Sequence, residues 1–243
     1  MASNFAVIGT SPLAKEIFEL CQQAGLAVEL GAAPGNIVRA PALVIETSAG
    51  DEEEKRSIVG ALDAALPSSS IILTSCLRFS ATEIASWTAR PERIVAFATF
   101  YPISTRKVIE LSAGLKTQEP VVQAAESFFS QLGKPTIRVR EGAGLVFPRI
   151  VSLIMNEAAR SLGEEVAGAD EIDVAMRLGV NYPQGPLHWA DQAGLDEVLA
   201  VLEGLQRETG DDRYRPAPLL KRMVQAGWLG ERTGRGFCVK PKL

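Results

Sequence analysis

Phe5-Ala6-Val7-Ile8-Gly9-Thr10-Ser11-Pro12-Leu13-Ala14 is the stretch that decides the fold. Four apolar residues make a short strand, and Gly9 follows at once. Ser11 can cap a helix through its hydroxyl, and Pro12 suits the first helical position, where no N–H is needed. Leu13, Ile17, Leu20, Cys21 and Ala24 then recur with a 3.6-residue period, and Gly25 stops the helix. Ala27 to Leu30 makes a second strand. Strand, turn, helix and strand in this order open a doubly wound α/β domain.

Working outward, a short connection holding Pro34, Gly35 and Pro41 leads to a third strand, Ala42 to Glu46. A parallel crossover with its own helix needs about a dozen residues or more, so a loop is expected in its place. Regular alternation then resumes. Asp51 to Leu66 reads as a helix with an acidic first turn, which suits the macrodipole. Ser70 to Thr74 reads as a buried strand. Ser80 with Glu83 is a capping-box pattern for a short helix ending before Pro91. A buried strand from Arg93 into Phe97 and Ala98 runs to an irregular turn at Tyr101-Pro102, and a further strand is expected at Lys107 to Leu111. Pro120 to Leu132 is a helix stopped by Gly133, and Thr136 to Val139 is a last strand.

From Leu145 the pattern is helical. Ile150, Ile154, Glu157, Ala158 and Leu162 mark a long helix with Pro148 in its early turn. Asp170 to Leu178 is a shorter one, ended by Gly179. Helices at Leu187 to Gln192, Leu195 to Thr209 and Pro218 to Ala226 follow, and a Gly/Arg-rich segment runs to Phe237. The expected architecture is a Rossmann-like doubly wound sheet over residues 1–142, lacking a helical insertion after its second strand, followed by an all-α domain over 143–243.

Composition narrows the function classes. A net charge of -4 and a pI near 5.3 leave no basic footprint, so nucleic acid is not expected as a partner. The three cysteines, Cys21, Cys76 and Cys238, are far apart and lack metal-ligand spacing, which fits free thiols in a reducing compartment. No charged-then-apolar leader opens the chain, and no apolar run is long enough to span a bilayer. A soluble, cytoplasmic protein without a membrane partner is the expectation.

Ligands of open α/β sheets sit beyond the carboxyl ends of the strands. The first turn there, Gly9-Thr10-Ser11, is the nearest thing to a dinucleotide fingerprint. Ser11 stands where a second glycine would let a pyrophosphate approach, and Ala14 is a permitted third residue. The second strand ends in Gly31-Ala32-Ala33, without the acidic residue that holds a ribose, and Glu29 comes too early. On spacing alone, the turn reads as a vestige that binds no nucleotide. Glu110 is a candidate buried carboxylate, either catalytic or a structural acceptor. His188, the single histidine, reads as an ordinary helix-surface residue, and Cys76 as a packed thiol without an activator.

Several stretches resemble the 3-hydroxyacyl-CoA dehydrogenase family. They are Asp170-Glu171-Ile172-Asp173 through Leu178-Gly179, Tyr182-Pro183, Gly185-Pro186, Asp191, Gly194-Leu195-Asp196, Pro216 to Leu220 and Thr233-Gly234-Arg235-Gly236-Phe237. The wording Leu178-Gly179-Val180-Asn181-Tyr182-Pro183 with Trp189-Ala190-Asp191 is similar to the C-terminal repeat of two-repeat bacterial 3-hydroxyacyl- and 3-hydroxyadipyl-CoA dehydrogenases. The resemblance implies NAD as cofactor, with Gly9, Thr10 and Ser11 at the phosphate turn, and an acyl-CoA as substrate. It also implies hydride transfer from the 3-hydroxyl carbon, with a histidine base oriented by a glutamate. Carried over without a gap, the glutamate falls on Glu110, the histidine on Ala98 and its motif's asparagine on Tyr101. The family's serine falls on Leu77, its substrate asparagine on Pro148 beside Arg149, and its ribose aspartate on Ala32.

Three of four reacting positions thus lack a group that transfers or holds a proton. The leading expectation is a non-catalytic family member that binds acyl-CoA or serves as a partner subunit. It would form a homodimer or pair with an active paralogue through the helical domain. The alternative is an active NAD-dependent oxidoreductase converting 3-hydroxyacyl-CoA to 3-oxoacyl-CoA with rearranged groups, such as Tyr101 or His188. A third reading uses Glu110 as base in a different reaction on a CoA thioester.

Overall fold

The computed structural model describes residues 4–37 and 40–239. The chain divides into two compact units, Met1–Val146 and Phe147–Leu243. The first contains β1 (Asn4–Ile8), α1 (Pro12–Gln23), β2 (Ala27–Gly31), β3 (Leu43–Glu46), α2 (Glu52–Ala65) and β4 (Ile71–Ser75). It continues with α3 (Ala81–Ser86), β5 (Ile94–Ala98), β6 (Ile109–Ala113), α4 (Glu119–Gln131) and β7 (Thr136–Arg138). The strands form one sheet in the order β2-β1-β3-β4-β5-β6-β7. Every neighbouring pair is parallel except β5 and β6.

Local chemistry sets the ends of these elements as the sequence predicts. The Ser11 side chain accepts from Ala14 N with Pro12 in the first turn, Asp51 accepts from Glu54 N, and Ser80 accepts from Glu83 N. Among the described residues, the connection after β2 holds a 3-10 turn, Pro34–Asn36. In the sheet β2 is an edge strand, and the winding reverses between β1 and β3.

Side chains alternate across the sheet. Phe5, Val7, Leu43, Ile45, Leu73, Val95, Phe97, Ile109 and Leu111 meet α1 and α4 through Leu13, Ile17, Cys21, Val122 and Phe128 in one buried cluster. The intervening residues, among them Glu46, Thr74, Ala98 and Glu110, point to the opposite face, as a period of two requires. Both faces of the central strands are therefore covered, and β3 and β5 are buried along their whole length. Continuous apolar runs such as Ile94–Ala98 follow from that double coverage.

The structure departs from the sequence reading at several elements. The strand expected at Lys107 to Leu111 begins at Ile109, because Ile103–Thr105 makes a 3-10 turn before it and Val108 is exposed. In the helical unit, α5 (Phe147–Gly163) buries Pro148, Val151, Ser152, Met155, Asn156, Ala158 and Ala159, so of the expected stripe Ala158 faces inward as read. Ile150 is 54% exposed and Glu157 is also outside. Asn156 rotates that stripe inward, because its side chain accepts from Ala217 N and donates to Arg215 O. Finally, α6 (Ala169–Val180) runs through Gly179 and is terminated by Asn181 in the left-handed conformation.

The remaining helices are α7 (Pro186–Ala193), α8 (Leu195–Thr209) and α9 (Pro218–Gln225). Buried aspartates hold their ends. Asp173 on α6 accepts from Leu187 N and His188 N at 2.8 and 2.9 Å, capping α7 from a distance. It lies against Gly185, where a Cβ would collide with its carboxyl group. Asp191 accepts from Phe237, Cys238 and Val239 N–H groups and so fixes the Gly/Arg-rich segment. Among the described residues no helix is long and apolar enough to cross a membrane.

Two buried charges give tests of this packing. Lys55, 1% exposed on α2, donates to Glu46 Oε2 and, at 2.7 Å, to Ser48 O. Lys55→Met is expected to destabilise the protein by about 3–5 kcal/mol, since Glu46 would stay buried without its cation. Adding Glu46→Leu should recover part of that loss, and urea denaturation of the three proteins checks both outcomes. Glu197 on α8 is 5% exposed and its Oε2 has no hydrogen-bond partner. Burial, and then the Asp196 charge, push its carboxyl up to about 8, with Arg232 pulling the other way. A carboxyl raised on folding stays protonated where the unfolded chain has ionised, so its contribution is complete below the unfolded pKa and lost as pH climbs to about 8. Glu197→Gln should flatten the fall in melting temperature between pH 5 and 8, read by thermal scans of both proteins.

Candidate functional site

The carboxyl ends of β1, β3, β4 and β5 gather the polar groups of the first unit. At β1, Gly9 adopts φ +143, and a Cβ there would strike the Thr47 hydroxyl. Only glycine fits this turn. Gly9 N donates to Gly31 O at 3.0 Å, while Thr47 N and Thr47 Oγ1 both donate to Ile8 O at 3.1 Å. The turn Gly9-Thr10-Ser11 therefore lies at the reversal between β1 and β3, over the N-terminus of α1. Ligands of doubly wound sheets enter at such a point.

Beside it, β3 ends in a network that periodicity could not show. Glu46 is fully buried, and Thr74 Oγ1 and Ser48 N donate to its two oxygens at 2.6 Å each, with Lys55 completing the set. Lys55 reads in the sequence as one more charge in an acidic helix turn. Its partner lies nine positions back on another element, so only the fold pairs them. The network pins the loop from Thr47 to Asp51 that borders the turn at Gly9.

Two strands further on, Ala98 and Glu110 are directly opposite each other in the antiparallel β5–β6 pair. Opposed residues of such a pair share a face, with Cβ atoms roughly 5 Å apart. Glu110 is 5% exposed, and its Oε2 accepts from Val146 N at 2.7 Å, which fixes the carboxylate in place. The structure thus puts a held carboxylate directly opposite Ala98, the position on which the resemblance places the family's histidine. Leu77, following β4, is buried, and Gly144 N donates to the neighbouring Cys76 O. Burial pushes the Cys76 thiol far up, and its Sγ donates to Phe97 O, so it offers no nucleophile.

Tyr101 and His188, the side chains named as stand-ins for the base, each have their own surroundings. Tyr101 packs against the hydrophobic cluster under α1 and α4. His188 lies on α7 in the helical unit, half exposed, with Nε2 3.9 Å from Glu231 Oε1. Pro148 is buried in the first turn of α5, and neighbouring Arg149 donates to Tyr214 OH while stacking on its ring. Among the described residues no group of three or more His, Cys, Asp or Glu is placed to hold a metal.

A dinucleotide fits one half of this corner and finds less in the other. The glycine turn and the N-terminus of a twelve-residue helix suit a pyrophosphate. Ser11 Oγ already takes the Ala14 N–H, so the remaining N–H groups of the turn would do the holding. At the end of β2, Ala32 supplies no carboxylate for ribose hydroxyls.

Comparison with known proteins agrees with this geometry across both units. Residues 33–142 match the family model described as 3-hydroxyacyl-CoA dehydrogenase, NAD binding domain, and residues 144–240 match its C-terminal domain. A 3-hydroxybutyryl-CoA dehydrogenase from Bradyrhizobium diazoefficiens is 38% identical over 195 residues, 80% of this chain and 67% of that protein. A probable 3-hydroxybutyryl-CoA dehydrogenase from Bacillus subtilis is 37% identical over 195 residues, 80% and 68% of the two chains. The crystal structure of (S)-3-hydroxybutyryl-CoA dehydrogenase from Ralstonia eutropha superposes with a TM-score of 0.81 at 31% identity, covering 100% of both chains. With a Rossmann-like sheet, a helical second unit and both family domains matched, this chain belongs to the 3-hydroxyacyl-CoA dehydrogenase family.

Proposed function

We propose that the chain works in the chemistry of its family, as an NAD-dependent oxidoreductase interconverting short 3-hydroxyacyl-CoA and 3-oxoacyl-CoA. The observation that carries this reading is the match of both domains to dehydrogenases named for 3-hydroxybutyryl-CoA. It favours turnover over the non-catalytic expectation, for which no finding speaks beyond the substituted side chains themselves. NAD, when bound, supplies the hydride acceptor. Gly9, Thr10 and Ser11 would hold its phosphates with backbone N–H groups at the start of α1. Glu110 is the ionisable group beside position 98 and would take up the hydroxyl proton, directly or through solvent in the space an imidazole would occupy. A positioned histidine base is worth about 10²–10⁴ in rate, so this arrangement is slow by comparison.

One observation favours a second reading, binding of both ligands without turnover: Ala98 stands opposite Glu110, and no base is held there. Oxidation of NADH by acetoacetyl-CoA, followed at 340 nm, separates the two. The first reading expects slow turnover in the parent protein that Glu110→Gln removes. Ala98→His should raise the rate by about 10²–10⁴ by restoring a base against its orienting carboxylate. No turnover in the parent, with saturable binding of both ligands, would establish the second reading instead.

The helical unit also carries a partner reading. Val174 and Leu178 lie one turn apart on α6, 42% and 79% exposed. An apolar helix face left open in this way supports self-association, or pairing with a paralogue. Leu178→Glu with Val174→Glu should convert a dimer to a monomer in light scattering without altering the far-UV circular dichroism.

A further inference from the structure

We infer that the corner at the end of β2 does not discriminate against a 2′-phosphate, so the chain accepts NADPH about as well as NADH. The inference rests on the dinucleotide-binding reading above and goes beyond it by assigning the cofactor specificity to Ala32 and Asn36. In sheets of this kind a carboxylate at the end of the second strand accepts hydrogen bonds from the ribose hydroxyls, and its charge repels a phosphate in the same place. Here β2 ends at Gly31, and Ala32 and Ala33 follow, both exposed. The one acid on β2, Glu29, is paired in register with Ala6 in mid-strand, two residues short of the end.

What occupies the corner instead is Asn36. A Cβ on Gly31 would lie 3.0 Å from Asn36 Cβ and 3.1 Å from Ile8 Cδ1, so Asn36 sits close against the carboxyl end of β2. Gly31 O in turn accepts from Gly9 N, which joins this corner to the phosphate turn. Asn36 is held from both sides of its own turn, since its N–H donates to Ala33 O and its Oδ1 accepts from Ala33 N at 2.9 Å. With Oδ1 engaged by an N–H, the group of the amide left for a ligand is its NH₂, a donor without acceptor capacity. A ribose 2′-hydroxyl and a 2′-phosphate can both accept from it. Among the described residues, the corner thus presents a donor and no negative charge.

Binding of NADH and of NADPH to the whole chain, measured by titration calorimetry, tests the assignment without relying on turnover. The expected result is two dissociation constants within about tenfold of each other. Asn36→Asp keeps an oxygen for Ala33 N and replaces the amide donor with a charged acceptor. It should weaken NADPH at least tenfold relative to NADH, and Ala32→Asp should act in the same direction. Circular dichroism of the two variants, both at exposed positions, confirms that they fold. A parent protein that prefers NADH more than a hundredfold, or an Asn36→Asp protein with an unchanged ratio, would overturn the inference and leave dinucleotide binding intact. Failure to bind either dinucleotide would instead overturn the reading on which it rests.

Discussion

The buried pair of Lys55 and Glu46 is the constraint around which the first unit is arranged. Neither charge can be left alone where it sits. Removing an ion from water costs several kcal/mol even after relaxation, and only close partners offset it. Glu46 therefore collects donors from three elements: Lys55 on α2, Thr74 on β4 and the Ser48 N–H in the loop between. That set ties α2 across the carboxyl ends of β3 and β4. It also fixes the Thr47 loop, which closes over Gly9 and leaves room there for glycine alone. The shape of the candidate ligand corner follows from satisfying one buried carboxylate.

A second carboxylate at the same end of the sheet is held differently. Glu110 is fixed by the Val146 N–H and placed by strand register opposite Ala98. Its burial does not depend on a catalytic partner, since a backbone donor already stabilises it. This explains how the strand pair keeps its geometry with alanine at position 98. Family membership and side-chain inventory thus pull apart at the positions of Ala98, Leu77 and Pro148, and kinetics on the parent and the histidine variant decide between slow turnover and none.

Much of the fold was legible in the sequence because its punctuation is local. Ser11-Pro12, Asp51 and Ser80 act within one helical turn, and each caps the helix it introduces. The reduced connection after β2 could be read from the spacing of Pro34, Gly35 and Pro41. Helix faces were less legible. The stripe on α5 was displaced because Asn156, polar in any pattern, turns inward to bond the backbone at Arg215 and Ala217. The end of α6 was misread at Gly179 because Asn181 can also adopt the left-handed conformation. Lys55, Glu46 and Asn36 carried no signal, since each acquires its meaning from residues on another element or from an atom of its own turn.

By itself the sequence determined the order of strands and helices, the reduced connection after β2, and the residues that stand at the family's reacting positions. Those properties depend on neighbours along the chain or on aligned motifs. Only the tertiary structure decided that Ala98 faces Glu110, that Lys55 is buried against Glu46, and that Asn36 lies against the end of β2 with its Oδ1 bonded to Ala33 N. Each of these rests on strand register or on packing between distant segments. A linear pattern specifies which face a residue takes, and the fold alone specifies what it meets there.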